Sequence, residues 1–151
     1  MSRAIAEPRP TRRVASRLFG PLDVALDECY TMPEGMLGFA GERRFVLLPA
    51  AANGVYWLQS VDDGTLIFVV IDPFQLLPGY EVELPDLPAH GEEHTIVLTI
   101  VTLPRERGDA CTTNLQAPLV FDLRDRSARQ VVLPDPRYHT RHPVDLRSRL
   151  Q

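Results

Sequence analysis

Trp57-Leu58-Gln59-Ser60-Val61-Asp62-Asp63-Gly64-Thr65-Leu66-Ile67-Phe68-Val69-Val70-Ile71-Asp72-Pro73 decides how this chain folds. Two arms rich in aromatic and β-branched residues each run out at an aspartate. Asp63-Gly64 lies between them, a dipeptide that readily reverses a tight hairpin, so the stretch reads as two antiparallel strands joined by a short turn. Asp72-Pro73 stops the second arm, because proline has no N–H to give to a ladder. Gln59 is the amide in an otherwise apolar arm.

The same pattern extends along the chain. With the two hairpin arms included, strands are expected over Leu22–Tyr30, Arg44–Leu48, Val55–Ser60, Leu66–Ile71, Tyr80–Leu84, Thr95–Leu103, Thr112–Leu115, Leu119–Leu123 and Arg129–Leu133. Thr95–Leu103 is almost continuously apolar and β-branched, which predicts cover on both faces. Fourteen prolines and nine glycines break the rest into short pieces. Turn signals at such spacing favour a small barrel or sandwich. The expected fold is all-β: a compact single-domain antiparallel barrel-like structure, with short helical turns at Pro73–Leu77 and in the C-terminal tail.

With 151 residues and 44% hydrophobic content, the chain has room for one core. Residues 1–17 carry five arginines and one acid, and are expected to be a disordered basic tail. Residues 18–144 form the domain and 145–151 a C-terminal tail. No apolar run approaches the roughly 20 residues needed to cross a bilayer, and residues 1–17 lack the apolar centre of a secretory signal. With only Cys29 and Cys111 there is no disulfide framework, so a reducing cytoplasm is the expected setting.

All sixteen basic residues are arginine. Residues 18–133 hold seven arginines against seventeen acids, a balance of −10, between two basic ends. Such a body repels nucleic-acid phosphates and favours a basic protein partner, chiefly by speeding association. RNA binding through the arginine-rich ends would instead show a steep salt dependence and be lost on deleting residues 1–17.

Catalytic and metal chemistry find little support. The histidines form two spacings, His90 with His94 and His139 with His142, but neither pair has the third and fourth ligands of a metal site. Ser60 lacks a Gly-x-Ser-x-Gly elbow, and nothing activates Cys111. No phosphate-binding glycine loop is present. We expect no enzyme activity, no cofactor and no metal. Polar residues that folding alone explains less well remain: Gln59, Asp62, Asp72 and Asn114. A buried amide needs a hydrogen-bond partner, so Gln59 and Asn114 are either structural brackets or contacts, and Asp72 suits a cap for the following turn. Phe74 and Tyr80 could add aromatic surface. Together Gln59, Asp62, Asp72, Phe74, Tyr80 and Asn114 are the candidate partner-binding residues. Substituting Asp72 and Tyr80 together is expected to weaken binding with little change in stability.

Several segments, in one order, resemble the flagellar assembly factor FliW family. They are Pro33-Glu34-Gly35-Met36-Leu37-Gly38-Phe39, Phe45-Val46-Leu47-Leu48, Leu58-Gln59-Ser60-Val61-Asp62 and Phe68 to Pro73. Tyr80-Glu81, Ile100-Val101-Thr102-Leu103, Thr113 to Val120, Gln130-Val131-Val132-Leu133 and Tyr138 to Pro143 complete the series. The resemblance covers about Leu18 to Val144. The chain departs from the family at Asp63-Gly64, where a proline commonly follows the aspartate, at Asp122 in place of asparagine, and at Ser127-Ala128 in place of glycine. The resemblance implies a cytoplasmic, monomeric, non-enzymatic barrel that binds flagellin. It also implies binding to the translational regulator CsrA and antagonism of it, without contact with RNA. A barrel that holds a small ligand or a carbohydrate is the alternative. That alternative requires a concave interior, with Trp57 as a candidate lining residue.

Overall fold

Alternation along each strand assigns one set of side chains to a closed interior and the other to satellite clusters outside it. The computed structural model describes residues 9–83, 94–106 and 110–146. Its strands are β1 (Thr11–Ser16), β2 (Gly20–Ala25), β3 (Tyr30–Thr31), β4 (Arg44–Pro49), β5 (Val55–Ser60) and β6 (Ile67–Ile71). The α-helical turn α1 (Pro73–Leu76) follows, then β7 (Thr95–Thr102), β8 (Cys111–Thr113), β9 (Leu119–Asp122), β10 (Ser127–Gln130) and β11 (His142–Val144).

Pairing closes the sheet on itself. β3, β4, β5, β6, β7, β9 and β10 are hydrogen-bonded in a ring, and β10 returns to β3. The pairings around the ring are antiparallel except the last, where β10 meets β3 in parallel at Ser127 and Thr31. That closure needs a sharp reversal after β9, and Arg126 makes it with a left-handed backbone at φ 57°. Its guanidinium stacks 3.9 Å above the Tyr30 ring and donates to the Glu28 carbonyl, attraction that helps offset the strain of a non-glycine residue in this region. Long β7 serves two partners along one edge. Thr95–Leu98 pair with β9, whereas Val101 and Thr102 pair with β8, which carries β11 on its far side.

The interior is packed with side chains. Met32, Phe45, Leu58, Val70, Leu98, Leu119 and Phe121 are fully buried there, as expected for a barrel too narrow to hold more than its own residues. Odd-numbered residues of β7 face outward: Val97 packs with Leu115, Leu133 and Tyr138, and Val101 with Val55, Ile71 and Val144. The two-faced cover expected for this strand is thereby met.

The β1–β2 hairpin lies against the outside of β4. Val14 and Val24 pack there on Val46 and Val61, with Cys29 in the same cluster. Residues 11–16 are therefore part of the folded domain and not a tail, a correction to the reading by charge. Only Val14 among them is a large apolar residue, so composition conceals the strand. Residues 1–8 lie outside the described residues. At the other end, Leu146 packs onto the cluster around Val144; Asp145 and Leu146, the described part of the expected tail, form no helical turn, and residues 147–151 lie outside.

Two expected strands and the hairpin turn also differ from expectation. Leu22–Tyr30 divides into β2, a 3-10 turn at Leu26–Glu28 and β3, because Leu26 turns its amide to Pro10 as the chain leaves the hairpin for the barrel. Tyr80–Glu83 forms no strand: the Tyr80 amide bonds the Leu77 carbonyl and that of Glu81 bonds the Tyr138 hydroxyl, so the ladder groups are taken. Leu84 is outside the described residues. The reversal between β5 and β6 spans Val61–Leu66 rather than two residues. Ser60 Oγ accepts from the Asp63 amide at 3.0 Å, and Asp63 accepts from the Thr65 hydroxyl and amide.

Gly64 is needed for close approach rather than for a left-handed turn. A Cβ there would stand 1.9 Å from the Ala15 carbonyl oxygen, and the Gly64 carbonyl accepts from the Arg17 amide at 2.9 Å. Gly64→Ala should push the hairpin off the barrel and cost about 1–3 kcal/mol in chemical denaturation. Gly41→Ala, where a Cβ meets nothing within 4 Å, should stay within about 0.5 kcal/mol of the parent; equal behaviour of the two variants would contradict this packing. The Thr65 hydroxyl, and then its amide, hold the Asp63 carboxyl below its ordinary range. Its contribution to stability is complete above pH ~4 and is lost as the pH falls through the depressed value. Thr65→Val should diminish that acid-side loss in a pH series of unfolding midpoints.

Candidate functional site

The six residues singled out from the sequence divide into two groups at opposite ends of β6, a strand of five residues spanning roughly 17 Å. Gln59 and Asp62 lie at the hairpin end. Gln59 is on the outward face of β5, opposite Val46, yet is 0% exposed because the β1–β2 hairpin covers it. The Ser16 hydroxyl donates to its Oε1 at 2.7 Å, and its Nε2 donates to the Ser60 carbonyl at 2.9 Å, with the Gly64 and Leu66 carbonyls farther off. Gln59 is thus a bracket between hairpin, turn and barrel, and it is removed from the set of surface contacts. Asp62 is exposed but occupied by Arg12 at 3.0 Å and Arg44 at 3.5 Å.

Asp72, Phe74, Tyr80 and Asn114 gather at the other end. Asp72 Oδ1 accepts from the Phe74 amide at 3.0 Å, capping α1, and Pro73 opens the helix without needing a partner for an N–H. Asn114 Oδ1 accepts from the Gln116 and Ala117 amides at 3.1 and 3.0 Å, turning the chain from β8 toward β9, so it too serves as a bracket. Tyr80 is 3% exposed. Its hydroxyl donates to the Leu115 carbonyl at 2.6 Å, and burial, with Tyr138 beside it, pushes the phenol pKa well above its usual value. Substituting Asp72 and Tyr80 together therefore cannot leave stability untouched, contrary to the sequence expectation.

Phe74 remains open. Its ring stands edge-on to Tyr80 at 5.6 Å, and Tyr80 to Tyr138 at 4.6 Å, so a rigid aromatic stack runs from the surface into the cluster around Leu115. Phe74 is 43% exposed at the top of the stack. Beside it a groove of about 600 Å³ runs between α1 and β7, with Val82, Val97 and Thr95 on its walls and Glu81 and Glu83 at its rim. Residues 81–83 were not singled out as contacts by sequence reasoning. The alternation Glu-Val-Glu was the available signal, and it was read as the start of a strand.

Trp57 faces out of the barrel, packed in the cluster with Val69 and Val101 and not in the interior. Cys29 and Cys111 are free thiols. Among the described residues, no three His, Cys, Asp or Glu side chains come together to hold a metal ion, and no helix is long and apolar enough to cross a membrane. His90 lies outside the described residues.

The closed sheet and the filled interior define a small β-barrel protein. The family model described as "FliW protein" matches residues 13–144. The flagellar assembly factor FliW of Geotalea uraniireducens is 40% identical over 137 residues, 87% of this chain and 83% of that protein. The factor of the same name from Natranaerobius thermophilus is 33% identical over 138 residues, 87% of this chain and 91% of that protein. A crystal structure of the flagellar assembly factor FliW superposes with a TM-score of 0.76 at 33% identity, over 87% of this chain and 95% of that one. The chain belongs to the FliW family of flagellar assembly factors. The match begins inside β1, which agrees with the hairpin being part of the domain.

Two substitutions test the brackets. Gln59→Ala removes the acceptor of Ser16 and the buried donor to three carbonyls, and should cost about 1–3 kcal/mol. Tyr80→Phe should cost about 1 kcal/mol through the unmade bond to Leu115. Both are read from denaturant midpoints, and unchanged midpoints would contradict the assignment.

Proposed function

We propose that this protein binds flagellin and a CsrA-type translational regulator in the cytoplasm, as a monomer, and that occupancy by one partner excludes the other. Abundant flagellin then holds the protein and leaves the regulator free to repress flagellin synthesis. Export of flagellin releases the protein to sequester the regulator. The switch requires only mass action between two partners, with no catalysis, no cofactor and no contact of the protein with nucleic acid.

The observation that carries this reading is the family match over residues 13–144 on a barrel whose interior is filled by Phe45, Leu58, Leu98 and Phe121. A ligand-holding barrel needs a concave interior; this one leaves only its outer surface for recognition. The acidic balance of residues 18–133 suits a basic regulator. Of the N-terminal arginines, Arg9 pairs with Asp27 and Glu28 and Arg12 with Asp62, which draws them away from a role on RNA.

Calorimetric titration of the full chain with each purified partner, then with one in the presence of the other, tests the proposal. One-site binding to each with mutual displacement is expected. Binding to flagellin alone would remove the regulatory half, and binding to neither would overturn the reading.

A further inference from the structure

We infer that the groove between α1 and β7 docks a positively charged segment of a partner protein, with an apolar anchor residue against Phe74, Val82 and Val97 and a cationic flank against Glu81 and Glu83. The inference rests on the reading of this chain as a partner-binding factor and names the surface and the chemistry involved.

Three features converge here. The floor is preorganised: Tyr80 and Tyr138 are buried, and their hydroxyls are tied to the Leu115 carbonyl and the Glu81 amide. A partner therefore orders little of this chain on docking, which keeps the entropic cost of association low. Phe74 leaves its outer face uncovered on that rigid floor, the position in which an aromatic residue contributes most to an interface. The rim carries net negative charge. Asp27, Asp62 and Asp135 are each matched by an arginine of this chain, whereas the exposed Glu81 and Glu83 carboxylates form no ion pair among the described residues. Arg137 stands within electrostatic reach of Glu81 and borders the same surface, but its guanidinium is bonded to both oxygens of Asp135. The same two glutamates also border a smaller groove lined by Leu133, Pro134 and the Asp135–Arg137 pair. A phosphate backbone would be repelled there, and an arginine- or lysine-bearing segment attracted.

The test uses the full chain with the purified regulator as the basic partner and with flagellin, each at low and at high ionic strength. Glu81→Lys combined with Glu83→Lys should raise the Kd for the basic partner about tenfold or more at low salt and flatten its salt dependence. Phe74→Ser should raise that Kd by a similar factor at both ionic strengths. The thermal midpoint of the double glutamate variant should match the parent, because those side chains are exposed, while that of Phe74→Ser should fall only slightly, through the lost edge contact with Tyr80. Unchanged affinity for the basic partner would overturn the inference, as would a loss confined to flagellin. Concentration-dependent dimers that disappear in the variants would assign the groove to a second copy of this chain and overturn it too. If the parent chain binds neither partner, the functional reading fails and the inference falls with it; if the parent binds and the variants bind equally, only the groove assignment is lost.

Discussion

Much of this molecule depends on a backbone-to-backbone seam with no room for a side chain. Gly64 in the β5–β6 turn lies so close to Ala15 that a Cβ would overlap its carbonyl oxygen, and the Arg17 amide spans the seam to the Gly64 carbonyl. The approach brings Ser16 within hydrogen-bond reach of Gln59. An amide on the outer face of a barrel strand would ordinarily be solvated. Here the hairpin excludes water, and Ser16 and the turn carbonyls supply the partners that burial demands. The same contact covers Val46 and Val61, so an apolar outer face and a polar bracket share one lid.

With that flank closed by the hairpin, the remaining faces divide the labour. The barrel interior is occupied by its own side chains, and the outer faces of β6 and β7 are covered by β8, β11 and the clusters around Val144 and Leu115. The end at α1 differs. Its polar groups are consumed in fixing the backbone, Asp72 as a cap and Asn114 as a turn bracket, while Phe74, Glu81 and Glu83 project without such duties. Rigid support beneath an exposed aromatic residue and free carboxylates is an arrangement suited to recognition. It supplies a physical footing for the partner-binding role proposed for this member of the FliW family.

The barrel was legible wherever a strand alternates or is fully covered. Val55–Ser60 is recovered to the residue, and the β4, β6, β7 and β9 strands to within one residue at either end. Gln59 and Asn114 were recognisable as polar residues that needed partners, but not which ones. Gln59 is satisfied by Ser16, forty-three residues away, in a stretch whose arginines masked a single buried valine. Gly64 was read for turn chemistry because its demand for space comes from another strand, which no local pattern reports. Tyr80 looked like surface for the same reason, since its burial is created by Tyr138 and Leu115. The acidic rim is a product of tertiary packing, since Arg137, the cation within reach of Glu81, is bonded to Asp135 instead.

Amide hydrogen exchange of the free, full-length protein tests the hairpin seam most directly, with the Arg17 amide as reporter. That amide is bonded across the seam to the Gly64 carbonyl and has no partner inside the hairpin ladder, so it exchanges only when hairpin and barrel part. The account predicts protection of Arg17 comparable to that of the β5 amides, with both lost together under denaturant. Rapid exchange of Arg17 beside protected β5 amides would show a hairpin that is not docked, and would contradict the account.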